Sequence, residues 1–236
     1  MTFQGGINPK KTARIAGFLY LLLAPLGFFG AMYIPSITVP GNPATTVKNI
    51  LAAEALFRLS IFSALATPVV TLLVALYLYR LLKPVDRSHA VLMVVFSFAA
   101  APIAMLNELN HFAVLLLASG ADYLKVFTTD QLNSLVLLAL NAHHFGAFIA
   151  QLFWGLWLFP MGYLVFRSGF LPKFIGVLLL IAGFGYVADS ILLFLLPDLN
   201  ARFSQCTFIG ELFLLLWLLI KGVDVEKWQK RAVETL

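Results

Sequence analysis

The stretch FIGVLLLIAGFGYVADSILLFLL (residues 174–196) decides the class of the protein. It contains a single charged residue, Asp189, follows Lys173 and ends before Pro197. A helix of about 20 apolar residues is long enough to cross the roughly 30 Å hydrocarbon core of a bilayer. The stretch therefore predicts a membrane-spanning helix.

The composition extends this interpretation to the whole chain. Of the 236 residues, 61% are hydrophobic and 11% are charged, and the mean hydropathy is +0.93. A soluble domain is usually about 45–50% apolar and about 25% charged. The single cysteine, Cys206, excludes an intrachain disulfide. We therefore expect an all-α, polytopic membrane protein in contact with the lipid bilayer.

Six apolar runs, separated by polar or Pro-containing segments, predict six transmembrane helices in one bundle that forms a single domain over residues 1–236. The second run continues a helix that is expected to start near Thr46, and Glu54 and Arg58 form an i,i+4 pair in its first turns. The first run is longer than a signal h-region of about 7–15 residues, so it is interpreted as a retained helix. The predicted spans are about 15–34, 59–79, 90–117, 135–166, 174–196 and 208–220.

The distribution of Lys and Arg predicts the orientation. With the N-terminus inside, four of the 16 basic residues fall on the outer side, and the other twelve fall on the inner side. Cytoplasmic loops carry an excess of Lys and Arg, so both termini are expected in the cytoplasm. Because the net charge of +5 comes from these short segments, we expect no nucleic-acid partner.

Polar and ionisable side chains inside the apolar runs are the candidate functional residues, because such groups often mark substrate or proton pathways. A rise of about 1.5 Å per residue places most of them about 24–35 Å above the inner basic residues, near the outer boundary of the hydrocarbon. Glu211 is the exception, since ten residues before Lys221 correspond to about 15 Å. The candidate pocket residues are Asn107, Glu108, His111, Asn141, His143, His144, Gln151, Tyr186, Asp189 and Glu211.

Helical periodicity groups most of these residues into four polar stripes on four helices. Such stripes satisfy their hydrogen bonds more easily by facing one another than by facing lipid, so they predict a polar interior that opens to the outer side. The stripes are Asn107, Glu108 and His111; Asn141, His144, Phe148 and Gln151; Tyr186 and Asp189; and Ser204, Thr207 and Glu211.

Three functions fit these residues. The favoured hypothesis is a protein that binds or transports a small polar solute or a proton through an outward-facing pocket, because a histidine titrates near neutral pH. A second hypothesis is a membrane metalloenzyme. A third is a structural or partner-binding membrane protein, in which the polar residues lie at a wet interface and Glu108 pairs with Arg58.

The metal hypothesis comes from NELNHF (107–112), where Glu108 and His111 form a Glu-x-x-His pair on one helix face. In helical bundles, such pairs are completed by ligands from other helices. A second histidine from the fourth span, His143 or His144, and a carboxylate, Asp189 or Glu211, would complete a zinc or iron site. The predicted divalent-metal ligands are Glu108, His111 and His144. No catalytic residue is assigned, because the sequence contains no Walker loop, dinucleotide fingerprint or HExxH motif.

Two segments of the sequence resemble a known family. KKTARIAGFLYLLLAPLG (10–27) resembles the opening of the prokaryotic membrane proteins catalogued as domain of unknown function 4386. FWGLWLFPMGYLVFRSGFLPKFIGVLLLIAGFGYVADS (153–190) resembles the central signature of that family. The resemblance implies a multi-pass protein of a bacterial or archaeal plasma membrane. It implies no established activity and no catalytic residues.

Overall fold

The computed structural model describes residues 8–196, 199 and 202–234. Over these ranges the secondary structure is helical and contains no strand, as the composition predicts. The α-helices are α1 (Pro9–Ile37), α2 (Pro43–Ala52), α3 (Glu54–Leu82), α4 (Arg87–Asn107), α5 (Leu109–Leu117), α6 (Thr129–Ser168), α7 (Lys173–Leu195), α8 (Ser204–Thr207), α9 (Ile209–Ile220) and α10 (Val225–Glu234). A short 3-10 helix, Asp122–Leu124, lies between α5 and α6.

Five segments of the described chain are long and apolar enough to cross a membrane. They are α1, α3, α4 together with α5, α6, and α7. A sixth span is counted only if Ser204–Ile220 and α10, which are bent by 103° relative to each other, are taken as one broken span. The chain is therefore helical with five to six candidate spans, and the sixth span and the cytoplasmic termini stay predictions.

The second predicted helix is interrupted. Asn42 accepts a hydrogen bond from the Thr45 N–H and caps α2, which begins with Pro43 rather than near Thr46. At Ala53 the backbone leaves helical geometry (φ −128°, ψ 35°), so α2 ends there and α3 begins at Glu54. The predicted i,i+4 pair of Glu54 and Arg58 is present, with a nitrogen–oxygen distance of 2.7 Å.

The C-terminal helix α10 is a structural element that the apolar pattern does not predict. Its sequence, VEKWQKRAVE, is mostly polar, but Trp228 is buried. The Trp228 indole Nε1 donates a hydrogen bond to the Leu81 carbonyl at the end of α3, at 2.8 Å. This bond fixes α10 against the C-terminal end of α3.

The chain divides into two compact units. The first unit comprises Met1–Leu22, Val70–Ala100 and Gln151–Leu236, and the second comprises Leu23–Val69 and Ala101–Ala150. The single domain expected over residues 1–236 stays a prediction.

Two kinds of packing contribute to the units, and each unit provides an example of one of them. In the second unit, an apolar core of buried side chains forms around Phe57, Ile61, Val114 and Leu140. In the first unit, glycines allow close backbone approach, as at Gly17, where an added Cβ would lie 2.7 Å from the Leu219 backbone nitrogen. Small residues are the usual means of close helix packing in membranes.

Candidate functional site

Glu108 lies at the break between α4 and α5. Its N–H bonds to the Met105 carbonyl three residues back, while its own carbonyl accepts the Phe112 N–H in the ordinary four-residue pattern. The Glu108 backbone (φ −64°, ψ −15°) has the tighter geometry of a 3-10 turn. The side chains of Glu108 and His111 still share a face across this turn, as the i,i+3 spacing predicts.

The Glu108 carboxylate contacts two imidazole rings. One of its oxygens, Oε2, is 2.8 Å from His111 Nδ1, and the other, Oε1, is 2.8 Å from His143 Nε2 on α6. The two rings are stacked, with centroids 3.6 Å apart. We call Glu108, His111 and His143 the histidine–carboxylate triad. All three members belong to the second unit.

The triad is enclosed by protein. Glu108 is 4% exposed and His111 is 2% exposed, while His143 is partly buried. The edge of the Phe57 ring packs against His111, with centroids 5.7 Å apart. A buried carboxylate is costly unless it is paired and hydrogen-bonded, and here both of its oxygens have an imidazole partner. The third hypothesis paired Glu108 with Arg58, but Arg58 contacts Glu54 instead.

Protonation of the triad follows from its hydrogen bonds. An ionised carboxylate only accepts hydrogen bonds, so each imidazole donates from the nitrogen that faces Glu108. The stacked rings disfavour two positive charges at once, because like charges at this separation repel. The stacking therefore favours at most one positively charged ring in the triad at a time.

Two asparagine side chains next to Glu108 connect the α4–α5 break to α6. Asn107 Nδ2 donates to the His143 carbonyl at 2.8 Å, and Asn110 Nδ2 donates to Asn107 Oδ1 at 3.0 Å. A Cβ added at Gly146 would clash with the Asn107 side-chain oxygen. The glycine one turn after His143 thus leaves room for the asparagine that ties α6 to the α4–α5 break.

Two members of the stripe predicted on the fourth span are exposed instead of facing a polar interior. Asn141 and His144 are exposed on the protein surface, and the His144 ring packs edge-on against Phe145 and Phe148. His143, rather than the expected third ligand His144, contacts Glu108. Successive helical residues point about 100° apart, so only one of two adjacent histidines can face Glu108.

Gln151, Tyr186 and Asp189 belong to the first unit, not to the unit that holds the triad. Gln151 Nε2 donates to the Tyr186 carbonyl at 3.3 Å. Asp189 is buried and accepts hydrogen bonds from the backbone N–H groups of Phe203 and Ser204 and from the Ser204 hydroxyl. These contacts fix the start of α8, so Asp189 has a structural role there. The hydrogen bonds of its carboxylate are those of a helix cap rather than those of a metal ligand.

Glu211 also belongs to the first unit, where its partners are tyrosines. The Tyr20 hydroxyl on α1 donates to Glu211 Oε2 at 2.6 Å, and Tyr186 on α7 interacts with the same carboxyl. Tyr20 is not among the residues predicted from the sequence. Its position could have been found, because Tyr20 lies ten residues after Lys10 and Glu211 ten residues before Lys221, which gives both the same height above the inner basic residues.

The polar contacts described above form one group within the second unit and one within the first. A surface groove in the second unit is lined by Phe127 and by the first turns of α6, which include Asp130 and Gln131. None of the candidate pocket residues lines this groove. The outward-facing pocket stays a prediction.

Comparisons with known proteins agree with the resemblance seen in the sequence. A family model described as "Domain of unknown function (DUF4386)" matches residues 15–222, which include both groups of polar contacts. A protein of Archaeoglobus fulgidus described as "Uncharacterized protein" is 31% identical over 149 residues, covering 63% of this chain and 75% of that relative. No solved structure matches the chain. The chain belongs to the DUF4386 family.

Proposed function

We propose that the protein binds a divalent transition-metal ion among its membrane-spanning helices, with Glu108, His111 and His143 as the ligands. The observation that carries this proposal is that one ligand atom from each of the three side chains lies within 4.8 Å of the others. Metal–nitrogen and metal–oxygen bonds of about 2.0–2.2 Å place two ligands of one ion no more than about 4.4 Å apart, so small side-chain rotations bring these atoms to one ion. A cation would also neutralise the buried carboxylate.

The ligand types indicate which metals fit. Two imidazoles and one carboxylate suit zinc or ferrous iron, whereas calcium and magnesium prefer oxygen ligands alone. Each imidazole binds a metal through a nitrogen without a proton. His111 and His143 therefore shift their protons to the nitrogens that face away from Glu108, which costs no net charge.

Three protein ligands leave at least one coordination position open. A zinc site of this kind keeps a water or a substrate in its fourth position, and a two-histidine, one-carboxylate iron site keeps several open positions. The residues support either a metal-dependent reaction or metal-dependent binding of a small polar solute. Metal-dependent binding is the favoured form of this proposal, because the residues described beside the triad include no assigned catalytic group.

Metal binding by purified protein in detergent tests this proposal. We expect about one zinc or cobalt ion per chain, and a cobalt spectrum typical of a site with nitrogen and oxygen ligands. His143→Ala and Glu108→Gln should weaken binding by more than the 10–100-fold typical of losing an outer-shell partner. The matched control is His144→Ala, which removes the adjacent histidine and should bind as the wild type does. Equal binding by His143→Ala and the wild type contradicts the proposal.

A proton or small-solute site at the same triad is the second candidate. It is favoured by the two hydrogen bonds that already satisfy both Glu108 oxygens. It predicts proton uptake on mild acidification of metal-free protein that is lost in His143→Ala and kept in His144→Ala. Protein that binds no metal but takes up this proton would favour the second candidate over the first.

We further propose that both termini are cytoplasmic, in a prokaryotic plasma membrane. The support is the excess of Lys and Arg in the segments assigned to the inner side. After Cys206 is replaced by serine, cysteines at the exposed positions Ala44 and Asp122 should react with an impermeant thiol reagent in whole cells. Cysteines at Lys83 and Ser88 should react only in opened cells, and the reverse pattern would invert the orientation.

A further inference from the structure

A second carboxyl site lies in the first unit, and the histidine–carboxylate triad does not include it. Glu211 on α9 accepts the Tyr20 hydroxyl of α1 at 2.6 Å and interacts with Tyr186 of α7. Tyr20 is 6% exposed, and its ring lies 6.3 Å from that of Trp157 on α6. Side chains from three helices therefore meet at one carboxyl group.

Close backbone packing limits what this site can hold. An added Cβ at Gly17 would meet the Leu219 backbone, and one at Gly185 would clash with the Thr207 hydroxyl. The helices that carry Tyr20, Tyr186 and Glu211 are in direct contact next to these glycines. This close approach of the helices favours a small occupant such as a proton or a single ion.

The charge of Glu211 has no counter-charge. No ion pair in the described ranges includes Glu211. The groups around it are the Tyr20 and Tyr186 hydroxyls, the Trp157 ring beyond Tyr20, Gln151, which donates to the Tyr186 carbonyl, and Asp189, which holds the start of α8. A carboxylate among apolar helices is costly without a cation. The missing positive charge must be supplied by something that binds there.

Thr207 provides an independent observation. Its hydroxyl oxygen is buried and has no hydrogen-bond partner. Buried polar atoms are almost always partnered, so an exception calls for a ligand or a functional reason. Thr207 precedes Glu211 by four residues, which is about one helical turn. An unpartnered hydroxyl oxygen thus lies four residues from a carboxyl that has no ion-pair partner in the described ranges.

We propose that Glu211, Tyr20, Tyr186 and Thr207 form a monovalent-cation site that is occupied by a proton or a sodium ion. The four side chains offer only oxygen atoms, and oxygen ligands select hard cations over transition metals. A single positive charge neutralises the single carboxylate. This site is independent of the metal proposed for the triad, because the two share no residue.

Labelling with an apolar carbodiimide tests the site, since this reagent adds to a protonated carboxylic acid and is itself soluble in the membrane. Labelled protein is digested and the modified residue is found by mass spectrometry. We expect labelling at Glu211 near neutral pH, none in Glu211→Gln, and none at Glu108, whose carboxylate is held by two imidazoles. Thr207→Val is the variant that removes only the unpartnered hydroxyl.

The salt added during labelling distinguishes the two cations. Protection of Glu211 by sodium chloride but not by potassium chloride, lost in Thr207→Val, identifies a sodium site. Labelling that depends on pH but not on sodium identifies a proton site. The proposal is overturned if Glu211 stays unlabelled from acidic to alkaline pH and infrared spectra contain no protonated-carboxyl band that Glu211→Gln removes. It is equally overturned if labelling is independent of both pH and sodium.

Discussion

Glu108 and Glu211 are two carboxyl groups among apolar helices, and they differ in the chemistry of their partners. Glu108 contacts two imidazoles, and imidazole is a group that can carry a positive charge or act as a metal ligand. Glu211 contacts phenol hydroxyls, which donate hydrogen bonds but supply no positive charge. The two carboxyls are of the same chemical type, so the different cations that we propose for them follow from their partners.

The largest expected effect comes from removing the acid that has two histidine partners. Glu108→Leu leaves two imidazole donors without an acceptor. Each unsatisfied buried group costs about 1–3 kcal/mol, so we expect the free energy of unfolding to fall by about 2–6 kcal/mol. Chemical denaturation in detergent measures this change. An effect as small as that of a surface substitution would mean that the triad is dispensable for folding, and the contrast with Glu211 would disappear.

Removing the acid with tyrosine partners should cost less. Glu211→Leu leaves the Tyr20 hydroxyl without its acceptor, and we expect a loss of about 1–3 kcal/mol in the free energy of unfolding. Glu211→Gln should be nearly neutral, because the amide oxygen accepts the same hydrogen bond and carries no charge. The same denaturation assay compares the three proteins. If Leu is as stable as wild type, Glu211 has no partner that matters to folding.

A substitution within α1 sharpens the comparison of the two units. Gly17, in the first unit, lies against the Leu219 backbone, which cannot move aside as a side chain can. Gly27, in the second unit, has no atom within 4 Å of an added Cβ. We expect Gly17→Ala to lower the free energy of unfolding by about 1–3 kcal/mol through overpacking. Gly27→Ala is the matched control and should not destabilise; loss of stability in the control alone would refute this packing argument.

The smallest effect is expected for the ion pair outside both sites. Arg58 and Glu54 are largely exposed, with side-chain exposures of 59% and 43%. Exposed i,i+4 pairs contribute about 0.3–0.5 kcal/mol, so Arg58→Ala should change the free energy of unfolding by no more than that. A loss comparable to that of Glu108→Leu would show that an exposed ion pair matters as much as the buried triad. Raising the salt concentration should reduce even the small effect.

The triad shows how far sequence reasoning reaches. The i,i+3 spacing predicts that Glu108 and His111 share a face, because that spacing is local. The choice of His143 over His144 depends on how α6 is rotated about its axis. That helix is apolar almost all round, so its sequence does not indicate which side faces its neighbours.

The helix boundaries show where local signals are absent. The break at Ala53 has no glycine or proline beside it, so the pattern predicts a continuous helix there. The pattern of apolar runs does not indicate helix α10, because this helix is mostly polar and buries a single tryptophan. Tyr20 has no local signal for a different reason. A tyrosine in a span usually packs against other side chains, and only its position along α1, level with Glu211, distinguishes it.

The contact between Asp189 and the start of α8 has a consequence for engineering the protein. Asp189 holds the backbone of Phe203 and Ser204, and Gly210 packs against the Leu178 backbone. The two chain segments on either side of residues 197–201 are therefore joined by contacts that do not depend on the connecting peptide. We expect this connection to accept an inserted epitope, or to serve as the division point for two co-expressed fragments that reassemble in the membrane.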